Sequence, residues 1–227
     1  MFKSYLKYII ITVIVGLIVG VGLWYSNYSQ KIEIAKESQI LQELASKHPG
    51  GQELLDQIKK MQEQLQTATA PDKKFEAYFV MGFSKDQLEY KEGAIKDYKK
   101  ALEVDSKNSD VPTVLNNLAN DYKYLKNYPE AEKYYLEIIE MDSSNIMTYR
   151  NLHEFYDLYY KEKADLADDI LLKGLESNLD SPNLLSALAV YYEKQGDKDK
   201  AIIYFEKLLE VMPENEAAKL ELEKLKQ

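Results

Sequence analysis

Few side chains in this sequence could carry out catalysis. It has no cysteine to act as a nucleophile and no glycine-rich loop of the kind that holds phosphate. The two histidines, His48 and His153, have no partners in a metal-ligand spacing. Asp168 and Asp169 are adjacent on a predicted helix, so their carboxylates point in different directions and are most simply part of a solvated face. The sequence therefore predicts no enzyme, no cofactor and no metal ion.

The charge balance bears on the class of partner. Of 227 residues, 38 are acidic and 29 are basic, which gives a formal net charge of −9. Lys3 and Lys7 stand at the amino terminus, so the remainder of the chain carries about −11. Binding to nucleic acid needs clustered lysine and arginine to neutralise phosphates, which this composition does not supply. Binding to a protein or peptide is the class that remains, and Arg150 is the single arginine available for it.

The elements that must position such residues repeat along the chain. Similar segments begin at Ala94, Ala131, Ala167 and Ala201, at spacings of 37, 36 and 34 residues. A period near 34 with small insertions is typical of stacked helical repeats. An aromatic residue or leucine follows each alanine by four positions, which continues an apolar helical stripe. These residues are Tyr98, Tyr135, Leu171 and Phe205.

The first half of each unit has its own pattern. A large residue is followed in three of four copies by a very small one, which lets two helices approach closely. The pairs are Met81–Gly82, Leu118–Ala119, Leu152–His153 and Leu188–Ala189. Three residues beyond the small position come Lys85, Tyr122, Tyr156 and Tyr192.

Together these patterns resemble the tetratricopeptide repeat, a helix-turn-helix of 34 residues. The resemblance implies an all-α solenoid of about four repeats, at 75–108, 112–145, 146–181 and 182–215, with a capping helix at 216–227. In the third copy, His153 and Gly174 replace the usual small residue and alanine, so we expect looser packing there. In the capping helix, we expect Ala217, Leu220 and Leu225 to share the packed side.

The amino terminus differs in composition. The stretch from Tyr8 to Tyr25, YIIITVIVGLIVGVGLWY, is almost wholly apolar. Its eighteen residues would span about 27 Å as a helix, enough for a bilayer core. We expect residues 1–30 to form a transmembrane anchor, with Trp24 and Tyr25 at one interface and Tyr8 at the other. A cleaved signal peptide is the alternative, but the apolar core is long and no small-x-small cleavage site follows it.

The residues in and around the apolar stretch also bear on the orientation and the self-association of the anchor. Lys3 and Lys7 favour a cytoplasmic amino terminus and an extracytoplasmic repeat domain. Gly16 and Gly20 form a GxxxG pattern that can let two membrane helices dimerise. The alternative is simply that glycine is common in membrane helices.

A connecting region at 31–71 separates the anchor from the repeat domain at 72–227. Ile34, Leu41 and Leu44 indicate one helix, which the sequence HPGG would end, and a second apolar pattern follows it. We interpret the pair as a helical hairpin that covers the first repeat. The spacing in the second helix also fits a short coiled-coil seam.

The resemblance also implies where a partner would bind, because the first helices of such repeats line a concave groove. Asparagine amides there could bond the backbone of an extended peptide, and the fork of Arg150 could bind a carboxylate. The alternative for Arg150 is an ion pair with Glu154, four residues on. The groove residues carried over are Glu76, Phe79, Phe83, Asn116, Asn117, Asn120, Lys123, Arg150, Asn151, Glu154, Asn183, Ser186, Val190, Glu193 and Lys194.

The basic clamp of the chaperone-binding members of this family is missing. Asn116 stands where its first lysine would be, and Asn183 and Ala187 replace the last two basic residues. The chain is similar in architecture to bacterial envelope proteins with one anchor and external repeats. We therefore expect a membrane-tethered scaffold for assembly or quality control of envelope or secreted proteins. The alternative is a structural protein that self-associates through its anchor and hairpin.

Overall fold

The structure, a computed structural model, describes the backbone of residues 2–227 and the side chains of residue 19 and residues 21–227. In this described part the regular structure is entirely helical. The α-helices are α1 Phe2–Lys47, α2 Gly51–Thr67, α3 Pro71–Gln87, α4 Lys91–Val104, α5 Val111–Tyr124, α6 Tyr128–Met141, α7 Ile146–Glu154, α8 Ala167–Ser177, α9 Pro182–Gln195, α10 Lys198–Val211 and α11 Glu216–Leu225. Between α7 and α8 lie a π-helix, Phe155–Tyr159, and a 3₁₀-helix, Lys161–Leu166.

The chain divides into two compact units, residues 1–97 and residues 98–227. This division passes through the first repeat, whereas the sequence suggested a boundary between residues 71 and 72. The helix α1 also runs on without a break past residue 30, where the sequence suggested the end of the anchor. Each unit has its own core and is described by itself.

Short local patterns in the sequence explain where the helices begin. Proline stands in the first turn of α3, α5, α6 and α9. Its missing N–H costs no hydrogen bond there, because the N–H groups of the first turn have no acceptor within the helix. Elsewhere a side-chain oxygen accepts from a backbone N–H of the first turn: Asn145 from Thr148 and Asn215 from Ala218, both at 3.1 Å. The repeat boundaries are therefore encoded locally.

In the first unit, α1 and α2 form a hairpin and α3 packs against α2. The turn between α1 and α2 depends on glycine, because a Cβ added to Gly51 would lie 2.2 Å from the carbonyl oxygen of Ala45. Helices α1, α2 and α3 share one apolar cluster. Its buried members are Leu41, Ala45, Leu55, Ile58, Met61, Ala77, Met81 and Leu88.

Lys85 occupies the position at which the other repeats carry tyrosine, and it is buried, with 3% of its side chain exposed. Its ammonium group pairs with Glu37 of α1 and with Asp97 of α4, the second at 2.5 Å. Buried ion pairs of this kind need good geometry to offset the loss of hydration. The ion triad ties Glu37 of α1 to Lys85 of α3 and Asp97 of α4.

In the second unit, α5 packs on α6, α7 on α8, and α9 on α10, and α11 closes the array against α10. The repeat alanines Ala131, Ala167 and Ala201 are fully buried, as small residues at close helix crossings should be. In α11 the sequence-based prediction was right for Leu225 and wrong for Ala217 and Leu220. Ala218 is buried and Leu222 and Leu225 pack beside it, whereas Ala217 and Leu220 are exposed.

The third repeat is irregular, but its two helices meet closely at Gly174. A Cβ added to Gly174 would lie 2.9 Å from Cγ of the buried Tyr149, so the glycine is what lets these helices meet. The first helix of this repeat changes into the π-helix after Glu154. Inserted residues are commonly absorbed as such π-bulges, often close to functional sites.

The predicted membrane segment lies mostly outside the described side chains. Tyr8, Gly16 and Gly20 are among the side chains not described. Trp24 and Tyr25 are described, and they are 64% and 66% exposed. The ring of Trp24 stacks on that of Tyr28, with centroids 5.4 Å apart. Within the described residues, no helix has a stretch both long and apolar enough to cross a membrane.

Candidate functional site

A cleft of about 560 Å³ lies between the first helices of the third and fourth repeats, α7 with its π-helix and α9. The structure brings together here many of the groove residues suggested by the sequence. Those lining the cleft are Arg150, Asn151, Glu154, Asn183, Ser186, Val190 and Lys194. Met147, His153, Asp157, Ala187 and Tyr191 line it as well.

Two contacts across this cleft show how the helices are aligned. Lys194 Nζ lies 2.7 Å from a carboxylate oxygen of Asp157. The rings of His153 and Tyr191 meet edge to face, with centroids 5.0 Å apart. Both contacts join residues 37 or 38 positions apart, so α7 and α9 run in the same direction. This alignment places Ala187 across from Arg150.

His153 was interpreted from the sequence as a packing residue, and the structure shows why its position also reaches the cleft. Its Nδ1–H donates to the carbonyl oxygen of Ala167 at 2.9 Å, because a carbonyl can only accept. The half-buried ring is thus held in place by α8 while it lines the cleft. The spacing pattern placed His153 in the position of the usual small residue, which gave no indication of this second contact.

Arg150 and Glu154 are both exposed on the cleft side of α7. The ion pair between them that the sequence offered as an alternative is not formed. In the part of the chain that the structure describes, neither side chain has an ion-pair partner. An arginine placed before a glutamate is the less favourable order for an i, i+4 pair on a helix, because of the helix dipole. Both charges therefore remain available to a ligand.

The asparagines of α5 are partly engaged in the fold. The amide of Asn117 donates to the hydroxyl of Tyr98 at 3.2 Å, and the hydroxyl of Tyr135 donates to Asn120 Oδ1 at 3.1 Å. Asn151 of α7 donates to Asn116 Oδ1 at 3.4 Å. An amide offers two donors and one acceptor oxygen, so each of these side chains keeps some capacity for a ligand.

A smaller cleft of about 250 Å³ lies beside the first, between α5, α6 and α7. Pro112, Thr113 and Asn116 line one side of it. Met147 and Asn151 line both clefts, so the two are continuous along the first helices of the second, third and fourth repeats.

The remaining predicted residues lie elsewhere. Lys123 places its Nζ 5.1 Å from the centre of the Tyr159 ring, a cation–π contact at the carboxyl end of α5. Phe79 and Phe83 belong to the first unit. Phe79 packs on Phe75 with ring centroids 6.2 Å apart, and Phe83 is 47% exposed.

The titratable groups whose pKa values shift most are buried tyrosines. Burial raises the pKa of Tyr135 to about 12, with a further contribution from the charge of Glu154. Burial also raises the pKa of Tyr156, assisted by its hydrogen bond to Glu132, and that of Tyr192, assisted by its hydrogen bond to Asp168. Among the described residues, no group of three histidine or acidic side chains could hold a metal ion. The cleft offers amides, together with one cation, Arg150, and one anion, Glu154, that have no ion-pair partner among the described residues.

Comparison with known proteins accounts for this arrangement of helices. Tetratricopeptide repeat models match residues 75–108, 113–141 and 182–215. The chain carries tetratricopeptide repeats. A sequence comparison with curated proteins finds no match. Tetratricopeptide repeat proteins are generally non-enzymatic scaffolds that bind proteins or peptides, so the repeats give this chain a fold suited to protein–protein interaction.

Solved structures superpose on most of the chain. A tetratricopeptide repeat protein from Parabacteroides merdae ATCC 43184 matches with a TM-score of 0.55 at 18% identity, over 82% of this chain and 72% of that one. The MamA structure matches with a TM-score of 0.52 at 19% identity, over 69% of this chain and 86% of that one. At these identities the similarity shows the shared fold alone.

Proposed function

We propose that this protein is a membrane-tethered tetratricopeptide repeat scaffold that holds an extended segment of a partner protein in the cleft between α7 and α9. One observation carries the proposal: Arg150, the single arginine of the chain, is exposed in this cleft with no ion-pair partner among the described residues. An arginine fork binds carboxylates with two parallel hydrogen bonds. The cleft is therefore supplied with an anchoring point for a ligand.

The rest of the lining suits a peptide backbone with small apolar side chains. Asn151, Asn183 and Ser186 offer donors and acceptors to backbone C=O and N–H groups. Met147 and Val190 are 59% and 52% exposed, and they offer apolar surface in the same cleft. Because each neutral hydrogen bond contributes only about 0.5–1.5 kcal/mol, several such contacts are needed for useful affinity.

The membrane anchor is part of the proposal. The apolar stretch from Tyr8 to Tyr25 supports it, and Lys3 and Lys7 support a cytoplasmic amino terminus with the repeats outside the cytoplasm. A scaffold so placed would act in the assembly or quality control of envelope or secreted proteins. Protease added to intact cells or spheroplasts should then remove the repeat domain, and complete protection until the membrane is broken would contradict this orientation.

Site-specific photo-crosslinking in membranes tests the cleft. A photoreactive amino acid at Val190, inside the cleft, should capture one defined partner that mass spectrometry identifies. The matched control is Ile203 on α10, which is 47% exposed and is not among the residues lining the cleft. Capture of the same partner from Ile203 but not from Val190 would indicate that the partner binds the second helices of the repeats rather than the cleft. A homodimer that is lost when Gly16 and Gly20 are changed to Ile would instead favour self-association.

A further inference from the structure

We propose that the segment held between α7 and α9 carries one acidic and one basic side chain separated by a single residue. This inference rests on the proposed function and names the chemistry of the partner. The acidic side chain binds Arg150, and the basic one binds Glu154. Either direction of the bound segment along the cleft satisfies this pattern.

The spacing follows from the geometry of the two backbones. Arg150 and Glu154 are four residues apart on one face of α7, which corresponds to a rise of about 6 Å along the helix. In an extended chain, side chains two residues apart point to the same side and are separated by about 6.6–6.8 Å. A peptide that lies along α7 therefore presents residues i and i+2 to these two charges.

The other charged groups of the cleft do not compete for the ligand. Lys194 and Asp157 neutralise each other at 2.7 Å, at the end of the cleft beyond Glu154. His153 donates its Nδ1–H to the carbonyl oxygen of Ala167. Of the residues that line the cleft, only Arg150 and Glu154 carry charges without an ion-pair partner in the described part of the chain.

The charge pattern also excludes simpler ligands. A uniformly acidic segment would place a carboxylate against Glu154, and a uniformly basic one would place an ammonium against Arg150. Like charges in contact are unfavourable by about as much as opposite charges are favourable. Ala187 lines the same cleft as Arg150, and its small side chain occupies little of the space that the acidic group needs. A segment of mixed charge is the ligand that matches both positions.

Synthetic peptides of defined sequence test the inference with the full chain in detergent micelles. The probe is an acetylated and amidated peptide, Ser-Val-Asp-Ala-Lys-Val-Ser, with a fluorescent label, and binding is measured by anisotropy. Its affinity should exceed that of the Asn-Ala-Lys and Asp-Ala-Gln versions by about two- to fivefold each. A version with adjacent Asp-Lys should also bind more weakly, since adjacent side chains point to opposite sides.

Charge reversal provides the second arm of the test. Arg150→Glu should weaken binding of the Asp-Ala-Lys probe and strengthen binding of a Lys-Ala-Lys probe. Glu154→Lys should also weaken binding of the Asp-Ala-Lys probe, and it should strengthen binding of an Asp-Ala-Asp probe. Lys173→Glu, an exposed residue of α8 that does not line the cleft, is the control for general electrostatic effects. Equal affinity for all probes, or the same response from Lys173→Glu, would overturn the inference. Cross-linking from Val190 that persists in that case would leave the proposed function standing.

Discussion

The hydroxyl of Tyr135, on the second helix of the second repeat, donates a hydrogen bond to the amide oxygen of Asn120 on the first helix, at 3.1 Å. Tyr135 is buried and Asn120 is half-buried. Asn120 was expected from the family geometry to face a ligand. The structure gives this asparagine a packing role as well, so a change of Asn120 affects the fold before it affects binding.

Asn120→Ala should lower the free energy of unfolding by about 1–3 kcal/mol, because it leaves the buried hydroxyl of Tyr135 without an acceptor. The double variant Asn120→Ala with Tyr135→Phe should lose less free energy of unfolding than the sum of the two single changes. In the double variant, neither side chain leaves a polar group without a hydrogen-bond partner. Urea unfolding of the four proteins measures the coupling. Strict additivity would show that the hydrogen bond contributes nothing to stability.

Alkaline pH should destabilise the repeats through their buried tyrosines. The folded-state pKa of Tyr135, about 12, is above the ordinary value of 10.0, because burial disfavours the phenolate. Its contribution to stability is therefore complete below about pH 10 and is lost as the pH rises through about 12. The free energy of unfolding, measured in urea between about pH 9 and pH 11.5, should fall. The fall should be shallower for Tyr135→Phe, and an unchanged slope in that variant would contradict the assignment.

Gly174→Ala should destabilise the second unit in spite of the better helix propensity of alanine. The propensity gain is about 1 kcal/mol, whereas overpacking costs about 1–3 kcal/mol. The added Cβ would lie 2.9 Å from Cγ of Tyr149, a buried ring with little freedom to move. Thermal unfolding measures the change. In a Tyr149→Leu background the same substitution should become neutral or stabilising, and a loss as large as before would place the strain elsewhere.

Lys85→Met should be among the most destabilising single changes in the first unit, at about 3–5 kcal/mol. It leaves the buried carboxylate of Asp97 and the half-buried carboxylate of Glu37 close together without their shared cation. Lys96→Met is the matched control, because Lys96 pairs with Glu33 at 2.5 Å on the surface, where such a pair contributes less than about 1 kcal/mol. Chemical denaturation of the two variants compares them. Similar losses would mean that the triad is not effectively buried.

The repeating features were the ones that sequence could predict. Ala131, Ala167 and Ala201 are buried at helix crossings. A small residue recurs at a fixed period because the close crossings of stacked helices recur at the same period. The proline and asparagine positions that begin the helices are equally local. Departures from the period could not be predicted in the same way. In α11 the buried alanine is Ala218 rather than Ala217, because the packing of the last repeat sets the rotation of the helix.

The sequence by itself therefore determined the pairs of helices and the face of α7 on which Arg150 and Glu154 lie, because both follow from helical periodicity. Only the tertiary structure decided which polar side chains are already engaged. Lys85 pairs with Glu37, which is 48 residues away in the sequence, and Asn120 accepts a hydrogen bond from Tyr135 on the next helix. Arg150 has no ion-pair partner within the described residues. Such pairings depend on distances between helices, which the spacing of residues along one helix does not specify.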